Sequence, residues 1–403
     1  MAYEDQDSRS DRPTDRHPDR QGETRRRRPL RTLVVGVAVV ALLGVASLVG
    51  FAFYLQRTVE NNIVHEDLRA DDNSQITLSP DQFGGHRPGD QDAPEDGEDG
   101  DEVEEDEEGL PPIVGEDGEA ITVDGGSTVA ATNPPRPESA GDALNFLIIG
   151  TDSRDLAVDR GRSDVIMLAH VNDDRTRVDL VHFPRDLFVP IAGTGGSSKI
   201  NAAYAYGGAP LLVQTVQPLV GVPVDHVAIT DFESFKAMTD AIGGVQVQVT
   251  EAGGGFDVGS HWMNGEEGLR FVRERYSLSQ GDISRGERQM QFVRGVMNKA
   301  LSRETLTNPS RLAGFVDAAT SNLTVDADLQ VSDMRDLAFA MRNVRGGDIH
   351  FWTAPWNGID MHPVAGSIVR VAPEQMQSLA QHLQNDTMES YTDNVSPRVG
   401  FGG

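Results

Sequence analysis

Apolar positions along this chain follow three patterns in turn. Leu33–Leu55 runs for 23 residues without a charge, long enough to span a hydrocarbon core of roughly 30 Å. From about residue 141, short apolar runs take over. Ala143–Ile149 reads as a buried strand that stops at Gly150. Val165–Val171 and Val178–Phe183 flank Asn172-Asp173-Asp174, a turn-rich link that predicts an antiparallel pair. Val245–Val249 alternates apolar and polar residues as a half-buried strand does.

Helical spacing fills the gaps. One helix is predicted after Pro210, and another after Asp231, an N-cap, with Gly243-Gly244 as terminator. A third begins near Gly286, where Met290, Val293, Met297, Ala300 and Leu301 share a face. Ser332 is placed to cap a later helix ending at Gly346-Gly347, and Pro373 stands in the first turn of the last one. Helices mixed with strands, some antiparallel, predict an α/β domain over 141–389, a sheet covered by helices around one sizeable core.

The flanks lack such periodicity. Residues 1–32 alternate Asp and Arg and read as a disordered tail, and 390–403 as a second one. Residues 56–140 are polar, then acidic, then proline-rich through Asn133-Pro134-Pro135-Arg136-Pro137, which predicts a disordered linker extended by its own charge.

Charge and composition sharpen this picture. The net charge is −28, but residues 90–120 carry 16 Asp and Glu and no Lys or Arg. More than half of the imbalance therefore belongs to the linker. A surplus of that sign argues against nucleic acid as a partner. The absence of cysteine excludes disulfides, thiolate catalysis and thiolate zinc sites. Arg25–Arg28 and Arg31 precede the apolar segment and only Arg57 follows it closely. The positive-inside rule then puts the N-terminus in the cytoplasm and the folded domain outside a single-pass cell-membrane anchor. A cleaved signal peptide is the other reading, but the charged leader and apolar stretch are too long and no small-x-small cleavage site follows.

Candidate chemistry sits where apolar runs give way to loops: Gly150-Thr151-Asp152-Ser153-Arg154, Gly161-Arg162-Ser163-Asp164, Pro184-Arg185-Asp186, and Arg273-Glu274-Arg275 followed by Asp282, Arg285 and Gln289. Asp152 ends one strand and Asp164 starts the next, so both can converge on one sheet edge. Two hard oxygen donors plus phosphate oxygens suit Mg²⁺ or Mn²⁺. Capping of turns by the same two aspartates is the competing reading. Arginine binds phosphate through a planar fork, and Arg154, Arg162, Arg185, Arg273, Arg275 and Arg285 all stand beside loop-forming residues. Lys199 can supply a point charge to a phosphate or simply snorkel at the surface. No Walker loop, Gly-x-Ser-x-Gly elbow or His-Glu-x-x-His helix occurs. His170, His182, His226 and His261 fall at no metal-ligand spacing and read as hydrogen-bonded strand or loop residues. Trp262, Trp352 and Trp356 read as packing residues, with sugar stacking as the alternative.

These clusters resemble the LytR–CpsA–Psr (LCP) family of cell-envelope glycopolymer ligases. The matching stretches, in the family's order, are FLIIGTDSR (146–154), GRSDVIML (161–168), HFPRDLFV (182–189), KINAAYAYGG (199–208), VDHVAITDFESFKAMTDAIGGVQV (224–247), MNGEEGLRFVRERY (263–276) and GDISRGERQMQFVR (281–294). The resemblance implies a twisted mixed sheet between helices, with an apolar tunnel for a lipid tail. It implies transfer of a sugar-phosphate polymer from a polyprenyl-pyrophosphate carrier to peptidoglycan, typically at the C6 hydroxyl of N-acetylmuramic acid. It makes Asp152 and Asp164 magnesium ligands. Arg162, Arg185, Arg273, Arg275, Arg285 and Gln289 become the pyrophosphate-contacting set, with Lys199 and Asn201 nearby and Asp282 orienting the arginines. A carboxylate near Asp152 or Asp164 is the expected base for the acceptor hydroxyl. Some relatives carry a small accessory domain where 56–140 lies here, and from the disorder expected there that domain is predicted to be absent or degenerate.

Overall fold

The computed structural model describes residues 47, 49–79, 110–151 and 163–392. The chain divides into two units. Of the first, Met1–Ala52, residues 47 and 49–52 are helical; the second is Phe53–Gly403. The tail 1–32 and most of Leu33–Leu55 lie outside the described residues. Among the described residues, no helix is long and apolar enough to cross a membrane.

The second unit is organised around a seven-stranded mixed sheet. Its strands lie in the order Val64–Glu66, Thr324–Asp326, His226–Asp231, Leu144–Thr151, Ser163–Val171, Val178–Phe183 and Ile349–Thr353. The predicted antiparallel pair around Asn172-Asp173-Asp174 forms, with Ile166 opposite Phe183 and Val171 opposite Val178. Leu144–Thr151 runs antiparallel to Ser163–Val171 and parallel to His226–Asp231. In consequence Thr151, Ser163, Phe183 and Asp231 all come to one end of the sheet.

Strand alternation sorts the apolar residues onto two faces. Leu147, Ile149, Ile166 and Leu168 pack on one side with the buried residues of the helix Ile200–Val220. Phe146, Ile148, Met167 and Ala169 pack on the other with Met290, Val293 and Met297 of the helix Asp282–Ala300 and with Leu301 just beyond it. Burying each large aliphatic side chain contributes about 1.5–3 kcal/mol. These two faces therefore hold the helices to the sheet.

Three local expectations need correction. The helix predicted after Pro210 begins ten residues earlier, at Ile200, because the alanine-rich stretch Asn201–Ala205 is itself a good helix former. Gly208, at φ 66° and ψ −160°, kinks it, and Pro210 opens its second part. The later helix runs Val331–Ala340 with Gln330 as its N-cap, not Ser332, and Gly346–Asp348 is a separate 3₁₀ turn.

The larger correction concerns 56–140. Residues 53–62 are helical, and Val64–Glu66 adds an edge strand to the central sheet. Ile113–Val114 and Ala120–Ile121 extend a second sheet in the order Trp356–His362, Gly366–Val371, Leu187–Pro190, Ser197–Lys199, Ile113–Val114, Ala120–Ile121. Gln75–Thr77 pairs with Thr128–Ala130. The expectation of a disordered linker averaged over the acidic run, whereas Ile113 and Val114 near its end, and Ile76 and Val129 outside it, are buried. Residues 80–109, which hold most of the acidic run, lie outside the described residues. The C-terminal boundary also moves slightly, since Tyr391 is buried against Trp352 and His382.

Candidate functional site

At the sheet end that gathers Thr151, Ser163 and Phe183, four elements bring charged side chains together. Asp164 comes from the second residue of its strand. Arg185 and Asp186 follow the strand that ends at Phe183. Lys199 ends the strand Ser197–Lys199, and Asp282 and Arg285 occupy the first turn of the helix Asp282–Ala300. Arg275 stands in the loop before that helix.

Arg185 is the hub. Its Nη1 donates to Asp164 Oδ1 at 2.9 Å, its Nη2 donates to Asp282 Oδ2 at 3.1 Å, and its Nε lies 4.0 Å from Asp186 Oδ2. Burial works against its charge, but Asp282, Asp186 and Asp164 outweigh that cost and raise its pKa. Arg285 Nη2 lies 2.9 Å from Asp282 Oδ1 and 3.7 Å from Asp164 Oδ1. Its pKa is lowered, first by burial and then by the neighbouring Arg185. Arg275 Nη1 stands 3.9 Å from Asp282 Oδ1, and its Nη2 donates to the Tyr276 hydroxyl at 2.9 Å. Lys199 Nζ lies 3.3 Å from Asp186 Oδ1.

The carboxylates differ in consequence. Burial raises the pKa of Asp282, but Arg285 and Arg185 outweigh it and hold the group low; the helix N-terminus also favours its negative charge. Asp186 has fewer cations. There burial dominates Arg185 and Lys199 and pushes the carboxyl up.

Polar atoms without partners also gather here. Asn201 donates its N–H to the Arg185 carbonyl at 3.2 Å, yet its Oδ1 is buried without a hydrogen bond. Gln289 Oε1, one turn beyond Arg285, and Ser163 Oγ, beside Asp164, are orphaned likewise. Buried polar groups are ordinarily satisfied, so such atoms point to a missing partner.

Of the expected site residues, Asp164, Arg185, Arg275, Asp282, Arg285 and Lys199 form one ion-pair cluster, with Asn201 and Gln289 at its margin. Arg273 is an exposed residue at the end of the helix Gly265–Arg273. Asp152, Arg154 and Arg162 lie outside the described residues. Among the described residues no three His, Asp or Glu side chains assemble as a metal-binding group. Mg²⁺ needs no such cage, since it keeps waters and takes phosphate oxygens with one or two carboxylates. Asp164, partly exposed beside the arginines, fits that demand.

Other residues take the roles expected of them. His170 bridges Asn145 and Asp386, His226 pairs with Asp326, and His261 meets the Asp257 carbonyl. Trp356 is buried and Trp352 Nε1 donates to Asp179, whereas Trp262, expected as a packing residue, is exposed with Lys299 over its ring. Two charged residues, one in the cluster and one packed away from it, escaped sequence reasoning. Asp186 was visible in the Pro-Arg-Asp run but had no role. Arg288 had no signal: it lies fully buried on the Phe271 ring, donating to the carbonyls of Glu251 and Gly253.

Known proteins share this framework. The chain is 36% identical over 190 residues to the polyisoprenyl-teichoic acid–peptidoglycan teichoic acid transferase TagU of Bacillus subtilis, a match covering 46% of this chain and 61% of that protein. The chain thus spans about three fifths of that relative's length. The crystal structure of B. subtilis TagV superposes with a TM-score of 0.52 at 23% identity, covering 62% of this chain and 98% of the other. A structure of TagT bound to LI-WTA gives a TM-score of 0.51 at 24% identity, covering 64% and 97%. The model of the LytR_cpsA_psr family matches residues 118–385, more than half of the sequence, so this chain belongs to the LytR–CpsA–Psr family.

Proposed function

We propose that this chain is a membrane-anchored phosphotransferase of the cell envelope. It moves a glycopolymer, as its sugar-phosphate, from a polyprenyl-pyrophosphate carrier to peptidoglycan, with the C6 hydroxyl of N-acetylmuramic acid as acceptor. The carrying observation is the convergence of Arg185, Arg275, Arg285 and Lys199 with Asp164 and Asp282 at one sheet end. Membership of the family and the transferase activity named for TagU support the same reading.

Phosphoryl transfer asks a protein mainly to position groups and stabilise charge. In this reading Arg185 and Arg285, already braced by carboxylates, exchange part of that bracing for pyrophosphate oxygens. Arg275 and Lys199 add charge from the solvent side, and Asn201 and Gln289 offer amides. The bond from phosphorus to the lipid-phosphate oxygen breaks, that oxygen leaves as an anion stabilised by the arginines, and the acceptor oxygen takes its place on phosphorus while its proton passes to a carboxylate near Asp152 or Asp164. Asp164, with Asp152, would hold Mg²⁺, which would supply Lewis-acid charge neutralisation at the phosphates. The apolar faces of the helix Ile200–Val220 and the central sheet are suited to lining a tunnel for the lipid tail.

The test is to incubate the purified full chain with a lipid-pyrophosphate-linked glycopolymer, Mg²⁺ and peptidoglycan oligomers. Polymer covalently attached to the acceptor, and lost on adding a chelator, is the expected result. Release of free sugar phosphate would make the protein a pyrophosphatase, and retention of intact lipid would make it a carrier-binding envelope regulator.

A further inference from the structure

Arg275 reaches the cluster from the loop 274–281, whereas Asp282 and Arg285 sit on the helix Asp282–Ala300. The 3.9 Å approach of Arg275 to Asp282 therefore depends on how that loop is fastened to that helix. Arg288, one turn beyond Arg285, does the fastening. It is 2% exposed, and its guanidinium lies 4.6 Å from the centre of the Phe271 ring, in the helix that ends two residues before Arg275. Its Nη2 donates to the carbonyls of Glu251 and Gly253, each at 3.0 Å. Its Nε and Nη1 have no hydrogen-bond partner among the described residues, so its directional bonding goes to the 251–253 backbone. That backbone holds the Arg275 loop at two points. The Gly254 N–H donates to Ser277 Oγ at 2.8 Å, and the Ser279 N–H donates to the Glu251 carboxylate. The fit is close: a Cβ on Gly253 would lie 2.7 Å from Ser277 Oγ and 2.8 Å from Leu278 Cδ2. Burying a charge is costly, and an apolar side chain at 288 would pack on Phe271 without that cost. It could not hold two carbonyls.

We propose that Arg288 is the positioning residue of Arg275, holding it toward the pyrophosphate group through the loop 251–254 while touching no substrate itself. The inference rests on the site reading proposed above. With the carbonyls of Glu251 and Gly253 tied to the helix, Ser277 and Ser279 are tied in turn, and Arg275 stands two residues before Ser277. Asp282, Arg285 and Arg288 share one helix. The loop is thus anchored to the same rigid element that carries the groups Arg275 must meet, and a site so supported keeps its geometry.

The probe is inorganic pyrophosphate, titrated calorimetrically into the full chain as wild type, Arg288→Met, Arg275→Ala and the double variant. Methionine fills much of the space on Phe271 and donates no hydrogen bond. Arg288→Met should weaken binding about tenfold, a size usual for coupled residues, and should weaken it no further once Arg275 is alanine. A residue that served only the core would weaken binding by the same factor in both backgrounds, and that result would overturn the proposal. If Arg288→Met does not fold, Glu251→Ala combined with Ser277→Ala cuts both holds on the loop and leaves Arg288 in place. It should show the same dependence on Arg275, and unchanged binding there would overturn the proposal too. Hydrogen exchange without ligand gives an independent reading: amides of 274–281 should exchange about tenfold faster in either loosened protein, with the strands Ser163–Val171 and Val178–Phe183 unchanged. Unchanged exchange in 274–281 would also overturn it. Faster exchange there, in a protein whose Arg275→Ala variant binds pyrophosphate as tightly as wild type, would instead strike the site reading and leave the fastening of the loop standing.

Discussion

The imidazole of His182 closes against the backbone of Gly286, where a Cβ would lie 2.5 Å from the ring's Cε1. This contact sets how nearly the helix Asp282–Ala300 approaches the strand Val178–Phe183. Arg285 precedes the glycine, and Arg185 follows the strand by two residues, so the same contact sets the spacing of the two arginines. Gly286→Ala should therefore push the helix outward. We expect a loss of about 1–3 kcal/mol from overpacking and a fall in transfer on the order of 10²-fold from misplacement of Arg285. Urea unfolding and a transfer assay check both. Helix propensity alone predicts a gain of up to ~1 kcal/mol for this substitution, so a more stable and fully active variant would show that the contact is slack.

Arg185 is expected to tolerate no replacement. Arg185→Ala removes the fork that donates to both Asp164 and Asp282 and should cost transfer on the order of 10²–10³-fold. Lysine keeps the charge but cannot reach both carboxylates as a fork, so Arg185→Lys should recover little. Arg275, held to Asp282 at 3.9 Å, has less to do with folding. Arg275→Ala should abolish transfer with an unchanged unfolding midpoint, and normal transfer in that variant would remove its assigned role.

His182 predicts a pH dependence of stability. Burial, helped by the charge of Arg285, lowers its pKa from 6.5 to about 4. Between those values the unfolded ring binds a proton and the folded ring does not, so stability falls as pH is lowered. At about 1.4 kcal/mol per pH unit the loss approaches roughly 3 kcal/mol near pH 4. Asp326 and Asp386 act lower. Burial opposes their ionisation, but their histidine and backbone hydrogen bonds depress both pKa values. Their stabilisation is present above the usual aspartate value and lost below it. Unfolding free energies at pH 5 and pH 7 should differ less in His182→Gln than in wild type.

What the sequence disclosed depended on the range over which each signal acts. The strand pair Ser163–Val171 and Val178–Phe183 and the cap at Asp231 rest on neighbouring residues, and they form as predicted. The arginines of the site were legible because each lay beside a loop-forming residue. Asp186 was in plain view, but its ion pair is with Lys199, which only folding brings to it. Arg288 looked like any charged helix residue until the loop carbonyls of Glu251 and Gly253 turned toward it. The segment 110–140 was obscured by the acidic run that overlaps its start, because composition averages over windows while strand pairing needs only two or three residues.

That segment supplies the last prediction. Ile113 is wholly buried, and Gly196 fits between its side chain and Ile121, with a Cβ there only 2.7 Å from each. Gly193, at φ 70°, approaches Val129 still more closely. The loop 190–198 is therefore seated on residues that precede the central strands by many positions, and it leads directly into the strand ending at Lys199. Ile113→Ala should cost about 2–5 kcal/mol, as for other fully buried aliphatic residues, whereas the same change in an unstructured spacer would cost nothing. Loosening that seat should also free Lys199 from Asp186 and weaken pyrophosphate binding. Denaturant unfolding together with pyrophosphate calorimetry separates the cases: a silent Ile113→Ala would return 110–140 to the status of a linker, and a destabilised variant with intact binding would uncouple the loop from the site.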